Sequence, residues 1–194
     1  GDDDIPDLVV AANDASDAPT LFILPGDSHG GFSDWQSIPL TPECVRPGQM
    51  VEIDLIEGGK NEILVGCSGT DVINLVQREG DGTMSASNIN LGTSTGVSYE
   101  ILAIGSLDQD PITDLVVVSP QTHHVRAFQG TGLNESFPRF EEVLLPLHNL
   151  TQINDVVISD VGGTNSSSRL GDIVIGGLNA SGGSVTVFWS EPNF

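Results

Sequence analysis

An acidic residue followed at once by an aliphatic run recurs at a near-regular step in this chain. The copies are Asp7-Leu-Val-Val, Glu62-Ile-Leu-Val, Asp114-Leu-Val-Val and Asp172-Ile-Val-Ile, at steps of 55, 52 and 58 residues. Self-similarity at such a step constrains the fold more than any other feature, because each copy is then one supersecondary unit that hides its apolar surface against its neighbours. A second apolar run follows each acid-led one: "TLFILPG", "VINLVQR", "HVRAFQG" and "SVTVFWS". In three copies a Gly-rich turn ("GDSHGGF", "GDGTM", "GTGLNESF") then leads to a closing run, "QSIPL", "SNINL" or "EEVLLPL". A four-strand unit of roughly 50 residues has the size of a propeller blade.

The local pattern is all-β. Runs of β-branched and aromatic residues alternate with Gly, Pro, Asn, Asp and Ser clusters. They predict strands over 7–13, 20–26, 50–57, 62–68, 72–78, 99–107, 114–120, 124–130, 141–147, 154–161, 172–178 and 184–190, besides closing strands at "QSIPL" and "SNINL". No stretch of ten or more residues holds a helical period between caps. The units predicted are 1–42, 43–95, 96–150 and 151–194, forming a single propeller domain or a segment of one. The strand count is three, four, four and three. The first unit then lacks its innermost strand and the fourth its outermost. Such edges would be completed in a longer propeller, or by strands from other chains.

Charge narrows the partners. With 27 acidic and 6 basic side chains, the formal net charge is −21. A surface so negative repels nucleic acid and anionic membrane and attracts cations. No apolar run approaches the roughly 20 residues needed to span a bilayer. The first residues, "GDDDIPDLVV", have neither a basic n-region nor an apolar h-region, so they do not read as a signal peptide. Four N-x-S/T sequons, at Asn134, Asn149, Asn165 and Asn179, all fall in the C-terminal third in polar or Gly/Ser/Pro-rich connections. They point to a glycosylated, secreted or ectodomain surface. The competing reading is that Ser- and Asn-rich loops generate sequons by composition alone.

The stretch "GSLDQDPITDLVVVS…VRAFQGTGLNESF" resembles the FG-GAP/VCBS repeat of integrin α-subunit β-propellers and related secreted proteins. The resemblance covers essentially the whole chain in four copies, two of them degenerate. It implies a β-propeller with Ca²⁺ held between the first and second strands of some blades. The residues themselves suit that ion, a hard cation taking six to eight oxygen ligands. Ser106, Asp108 and Asp110 occupy alternate positions of one tight loop, Asp114 closes it as the strand begins, and the carbonyl of Ile112 offers a further oxygen. The loop departs from the family in carrying Pro111 where glycine is usual, and proline cannot take a left-handed turn. The plain alternative is an acidic, solvated turn.

The other loops are poorer. Asp2, Asp3, Asp4 and Asp7 form a second candidate, with Gly1 at a ligand position. The second unit keeps Asp54 and Glu62 but has Ile56, Gly58 and the cationic Lys60 between them. The fourth keeps Asp160 and Asp172 but is longer and includes Arg169. Cys44 and Cys67, the only cysteines, are expected to pair in an oxidising compartment, stapling the connection between the first two units to the second. The alternative is two free thiols. His123 and His124 are adjacent and so point to opposite faces of a strand, which disfavours metal ligation. "GCSGT" at 66–70 is not a nucleophile elbow, since the last Gly is missing and no helix follows. Trp35, Trp189, Phe22, Phe128 and Phe188 read as core or inter-unit packing. The function expected is non-catalytic: an extracellular calcium-binding glycoprotein module for adhesion, ligand binding or structural assembly, with other protein chains or extracellular glycans as partners. The alternatives are a lectin or polysaccharide-degrading protein on the same propeller, and a filament subunit completed by strand exchange.

Overall fold

The computed structural model describes residues 5–54, 61–69, 71–91, 97–108, 110, 112–134, 137–143, 145, 150–159, 161 and 171–188. These form fourteen strands and no helix. Sheet I consists of β1 (Leu8–Asn13), β2 (Pro19–Leu24) and β3 (Gln36–Pro39). Sheet II consists of β4 (Arg46–Ile53), β5 (Glu62–Ser68), β6 (Val72–Arg78) and β7 (Met84–Asn90). Sheet III is β8 (Ile101–Gly105), β9 (Asp114–Ser119), β10 (His124–Asn134) and β11 (Phe137–Val143). Sheet IV is β12 (Gln152–Ser159), β13 (Asp172–Asn179) and β14 (Gly182–Phe188). Each sheet is an antiparallel meander, with every strand paired to its sequence neighbours.

The four sheets are stacked face to face in chain order, and that packing explains the uninterrupted aliphatic runs. Antiparallel strands usually alternate apolar and polar residues because one face is wet. In sheets II and III both faces are covered. Leu115, Val117 and Phe128 turn towards Leu64, Ile73 and Leu75 of sheet II. The intervening Val116, Val118 and Ala127 turn towards Ile153, Val156, Ile173 and Ile175 of sheet IV. The other face of sheet II brings Val65, Cys67 and Val76 against Leu21 and Ile38 of sheet I. All six side chains of β9 are buried as a result. Each fully hidden Val, Leu or Phe is worth about 1.5–3 kcal/mol relative to exposure.

The first strands of neighbouring units pack together, β4 with β8 and β8 with β12. In sheet I, β1 packs on β4 as β9 packs on β12, so β1 stands where later sheets have their second strand. No comparable packing joins β12 back to β1 among the described residues.

Cys44 and Cys67 are fully buried, with their sulfurs 2.11 Å and their Cα atoms 5.0 Å apart, so the pair is bonded. Beside it, the buried Asn74 accepts the Thr41 N–H at 2.8 Å and donates to the Thr41 hydroxyl, to Asn88 Oδ1 and towards Cys67 Sγ. This polar cluster satisfies a connection that crosses between sheets I and II, where an unpaired amide would be costly.

Two expectations are corrected. The strands predicted at 50–57 and 141–147 begin about four residues earlier, as Arg46–Ile53 and Phe137–Val143; 55–57, 144, 146 and 147 lie outside the described residues. Trp35 is not packing residue of a core: it is 60% exposed, with its ring 5.3 Å from that of Phe22 on the outer face of sheet I. Phe128, by contrast, is a core residue, and Phe188 packs half-buried against the cluster between sheets III and IV. Trp189 lies outside the described residues.

Candidate functional site

The loop from Ser106 to Asp114 joins β8 to β9, and its last residue is the acid that begins the repeat. Asp114 is completely buried. Its carboxylate accepts the N–H of Leu107 with one oxygen and that of Gly130 with the other, the latter at 2.9 Å. It therefore ties the entry of the loop and strand β10 to the start of β9. Burial pushes its carboxyl above the ordinary value; the two N–H bonds oppose the shift, and the charges of Asp108 and Asp110 add to it.

One arm of this clamp recurs in each of two other units. Asp7 Oδ1 accepts the N–H of Gly26 at 3.0 Å, and Gly26 follows β2 as Gly130 follows the pairing of Phe128 with Leu115. Asp172 Oδ2 accepts the N–H of Val161 at 3.2 Å, two residues beyond β12, as Leu107 lies two residues beyond β8. Glycine is needed at the receiving position because backbone comes close there. A Cβ on Gly130 would lie 2.5 Å from the Thr113 carbonyl oxygen, and one on Gly26 would lie 2.3 Å from that of Pro6. In each case the oxygen belongs to the residue just before the acid. The repeated acid thus has a structural task that the sequence pattern did not reveal. The recurrence of Gly at 26 and 130, two residues beyond the partner of the first aliphatic residue, was the available signal.

The remaining loop residues hold one another. Asp108 Oδ1 accepts the Asp110 N–H at 2.9 Å, and Asp110 Oδ1 accepts the Ile112 N–H at 2.8 Å. These are successive Asx turns, in which a carboxylate caps the backbone two residues on. Asp108 Oδ2 also accepts from Gln129 of β10 at 3.1 Å, and the Ser106 hydroxyl donates to the Asp108 carbonyl at 2.8 Å. The Ser106 carbonyl accepts the N–H of Gly171, linking this loop to sheet IV. Ser106, Asp108, Asp110 and Asp114 suit a hard cation: each of these side chains offers oxygen, and three are carboxylates. Among the described residues no group of three His, Cys, Asp or Glu is gathered as ligands round one point.

Asp2, Asp3 and Asp4 lie outside the described residues, and Asp7 is engaged with Gly26. Of the sequons, Asn149 and Asn165 also lie outside them, and the side chain of Asn134 is not described. Asn179 ends β13 at a two-residue hairpin: its Oδ1 accepts the Ser181 N–H at 2.8 Å, and Ala180 and Ser181 are exposed. His123 sits in the β9–β10 turn with a left-handed φ of 56°, and His124 opens β10. No helix of the described residues is long and apolar enough to cross a membrane. Comparison with known protein families and with curated proteins gives no match to this chain.

Proposed function

We propose that the protein is a non-catalytic, extracellular, calcium-binding glycoprotein module, built as a segment of an FG-GAP-type β-propeller and acting in adhesion, ligand binding or assembly. The observation that carries this reading is the alternation of oxygen donors at Ser106, Asp108, Asp110 and Ile112, closed by Asp114 at the mouth of a buried strand. Ca²⁺ bound there would offset the mutual repulsion of three carboxylates and lock the β8–β9 connection against β10. Stacked meanders of up to four strands support the propeller part, and the buried Cys44–Cys67 bond supports an oxidising compartment. Asn134, Asn149, Asn165 and Asn179 carry the glycans in this reading. The partners are other protein chains or extracellular glycans.

Titration calorimetry on residues 1–194 tests the calcium site. The expected result is a binding event that Asp108→Ala and Asp110→Ala each abolish while the circular dichroism stays unchanged. Calcium binding that persists in both variants overturns the assignment. A glycan array and a reducing-sugar release assay separate protein partners from glycans and from carbohydrate hydrolysis.

A further inference from the structure

The stack of sheets has a direction. In each unit the first and third residues after the repeated acid point to the preceding sheet: Ile63 and Val65 towards sheet I, Leu115 and Val117 towards sheet II, Ile173 and Ile175 towards sheet III. The second residue points to the following sheet: Val9 towards II, Leu64 towards III, Val116 towards IV. Every internal interface therefore joins one forward face to one backward face.

Among the described residues the outermost sheets, I and IV, carry one face of each kind, and both are apolar. At one end Leu8 and Val10 are 43% and 39% exposed, with Phe22 paired to Val10 on the same side. At the other, Val157, Val174 and Val187 line up across the three strands of sheet IV, and Val157 and Val185 are 49% and 70% exposed. Rows of β-branched and large apolar residues on an open sheet face mark an interaction surface rather than a wet one.

We infer that the outer face of sheet IV docks on the outer face of sheet I of a second copy of this chain, head to tail. A second copy supplies both complementary faces in equal number. The contact reproduces the forward-to-backward packing that already joins sheets I to II, II to III and III to IV. Such a contact is heterologous, since different surfaces meet. Charge works against it: each copy has a net charge of −21, and Asp155 stands among the valines of the sheet IV face. Screening should therefore strengthen association, the Debye length falling from about 30 Å at 0.01 M to about 8 Å at 0.15 M salt. The inference does not rest on the calcium reading.

Sedimentation equilibrium on residues 1–194 tests it. At 0.5 M NaCl the mass should rise with protein concentration above the single-chain 20.3 kDa, and at 0.01 M salt it should rise less. Val10→Asp and Val185→Lys should each restore the single-chain mass without changing the circular dichroism or the thermal midpoint. Mixed one to one, the two variants should associate again, because each retains the face the other has lost. A single-chain mass at every concentration overturns the inference. So does self-association of either variant at the wild-type level, which would mean like faces meeting. So does a mixture that remains at single-chain mass.

Discussion

Asp114 and Gly130 are joined across sheet III: the buried carboxylate accepts the glycine N–H at 2.9 Å, in the place where a Cβ on that glycine would strike the Thr113 carbonyl. Asp7 and Gly26 repeat the relationship in sheet I. An acid at the head of a buried strand thereby fixes the hairpin that follows it, whatever its loop also binds.

The glycine half of the clamp is tested by Gly130→Ala and Gly26→Ala. The added methyl must displace backbone, so each should destabilise by about 1–3 kcal/mol, as overpacking does elsewhere. Gly80→Ala, with open space around its Cβ, is the control and should be close to neutral. Urea midpoints measure all three. Equal effects at the three positions would remove the close-approach argument.

Asp114 and Asp110 should separate structure from ligand. Asp114→Ala leaves the N–H groups of Leu107 and Gly130 without their acceptor, at about 1–3 kcal/mol for each buried orphan. That loss should appear in a chelator. Asp110→Ala should cost little in chelator and should abolish only the rise in thermal midpoint that calcium gives. Scanning calorimetry with and without calcium reads both.

The inner sheets should dominate stability. Phe128 is 1% exposed between sheets II and III, and Phe128→Ala should cost about 3–5 kcal/mol. Asn74→Ala should cost about 1–3 kcal/mol, because it strands the Thr41 N–H and removes the donor to Asn88. Chemical denaturation measures each, and a loss below 1 kcal/mol in Phe128→Ala would contradict the packing described.

Acid should act through the turns. Side-chain hydrogen bonds from Ser16 and Thr83 hold the Asp14 and Asp81 carboxyls below their ordinary 3.8, helped by backbone N–H groups of the same turns. Carboxyls lowered in the fold add stability that is present above the unfolded value and lost as pH falls through the folded one. Asp14→Asn with Asp81→Asn should therefore shallow the decline of the unfolding midpoint below about pH 4. An unchanged decline would mean that these turns do not govern it. Asp114, raised by burial, works in the opposite sense: its ionisation costs stability as pH climbs through its folded value.

How far the fold was legible depended on whether apolar pattern alone decided it. Strands β5 and β6 coincide with the predicted 62–68 and 72–78, because both are two-sided apolar runs bounded by turn residues. Strands β4 and β11 begin earlier than predicted, over first residues that include Pro47, Gly48 and Pro138 and so lack a continuous apolar run. Both are edge strands of their sheets, where proline need not donate to a ladder, and β4 has a bulge between Pro47 and Met50. Trp35 was misread because residue type says "bury" while topology leaves the outer face of sheet I uncovered. In the loop, spacing showed which oxygens are close in sequence. It did not show that Asp114 is committed to two backbone amides, since those amides belong to Leu107, seven residues back, and to Gly130, on the next strand.

The bond between Cys44 and Cys67 lies wholly inside the packing of sheet I on sheet II. A reductant cannot reach either sulfur while those sheets stay in contact, since thiol exchange requires a thiolate to approach along the bond. Its rate of reduction in native buffer is therefore set by how often sheet I lifts away. The disulfide acts as a clock for the opening of one end of the stack, and any partner that presses on the outer face of sheet I should slow that clock without touching the sulfur atoms.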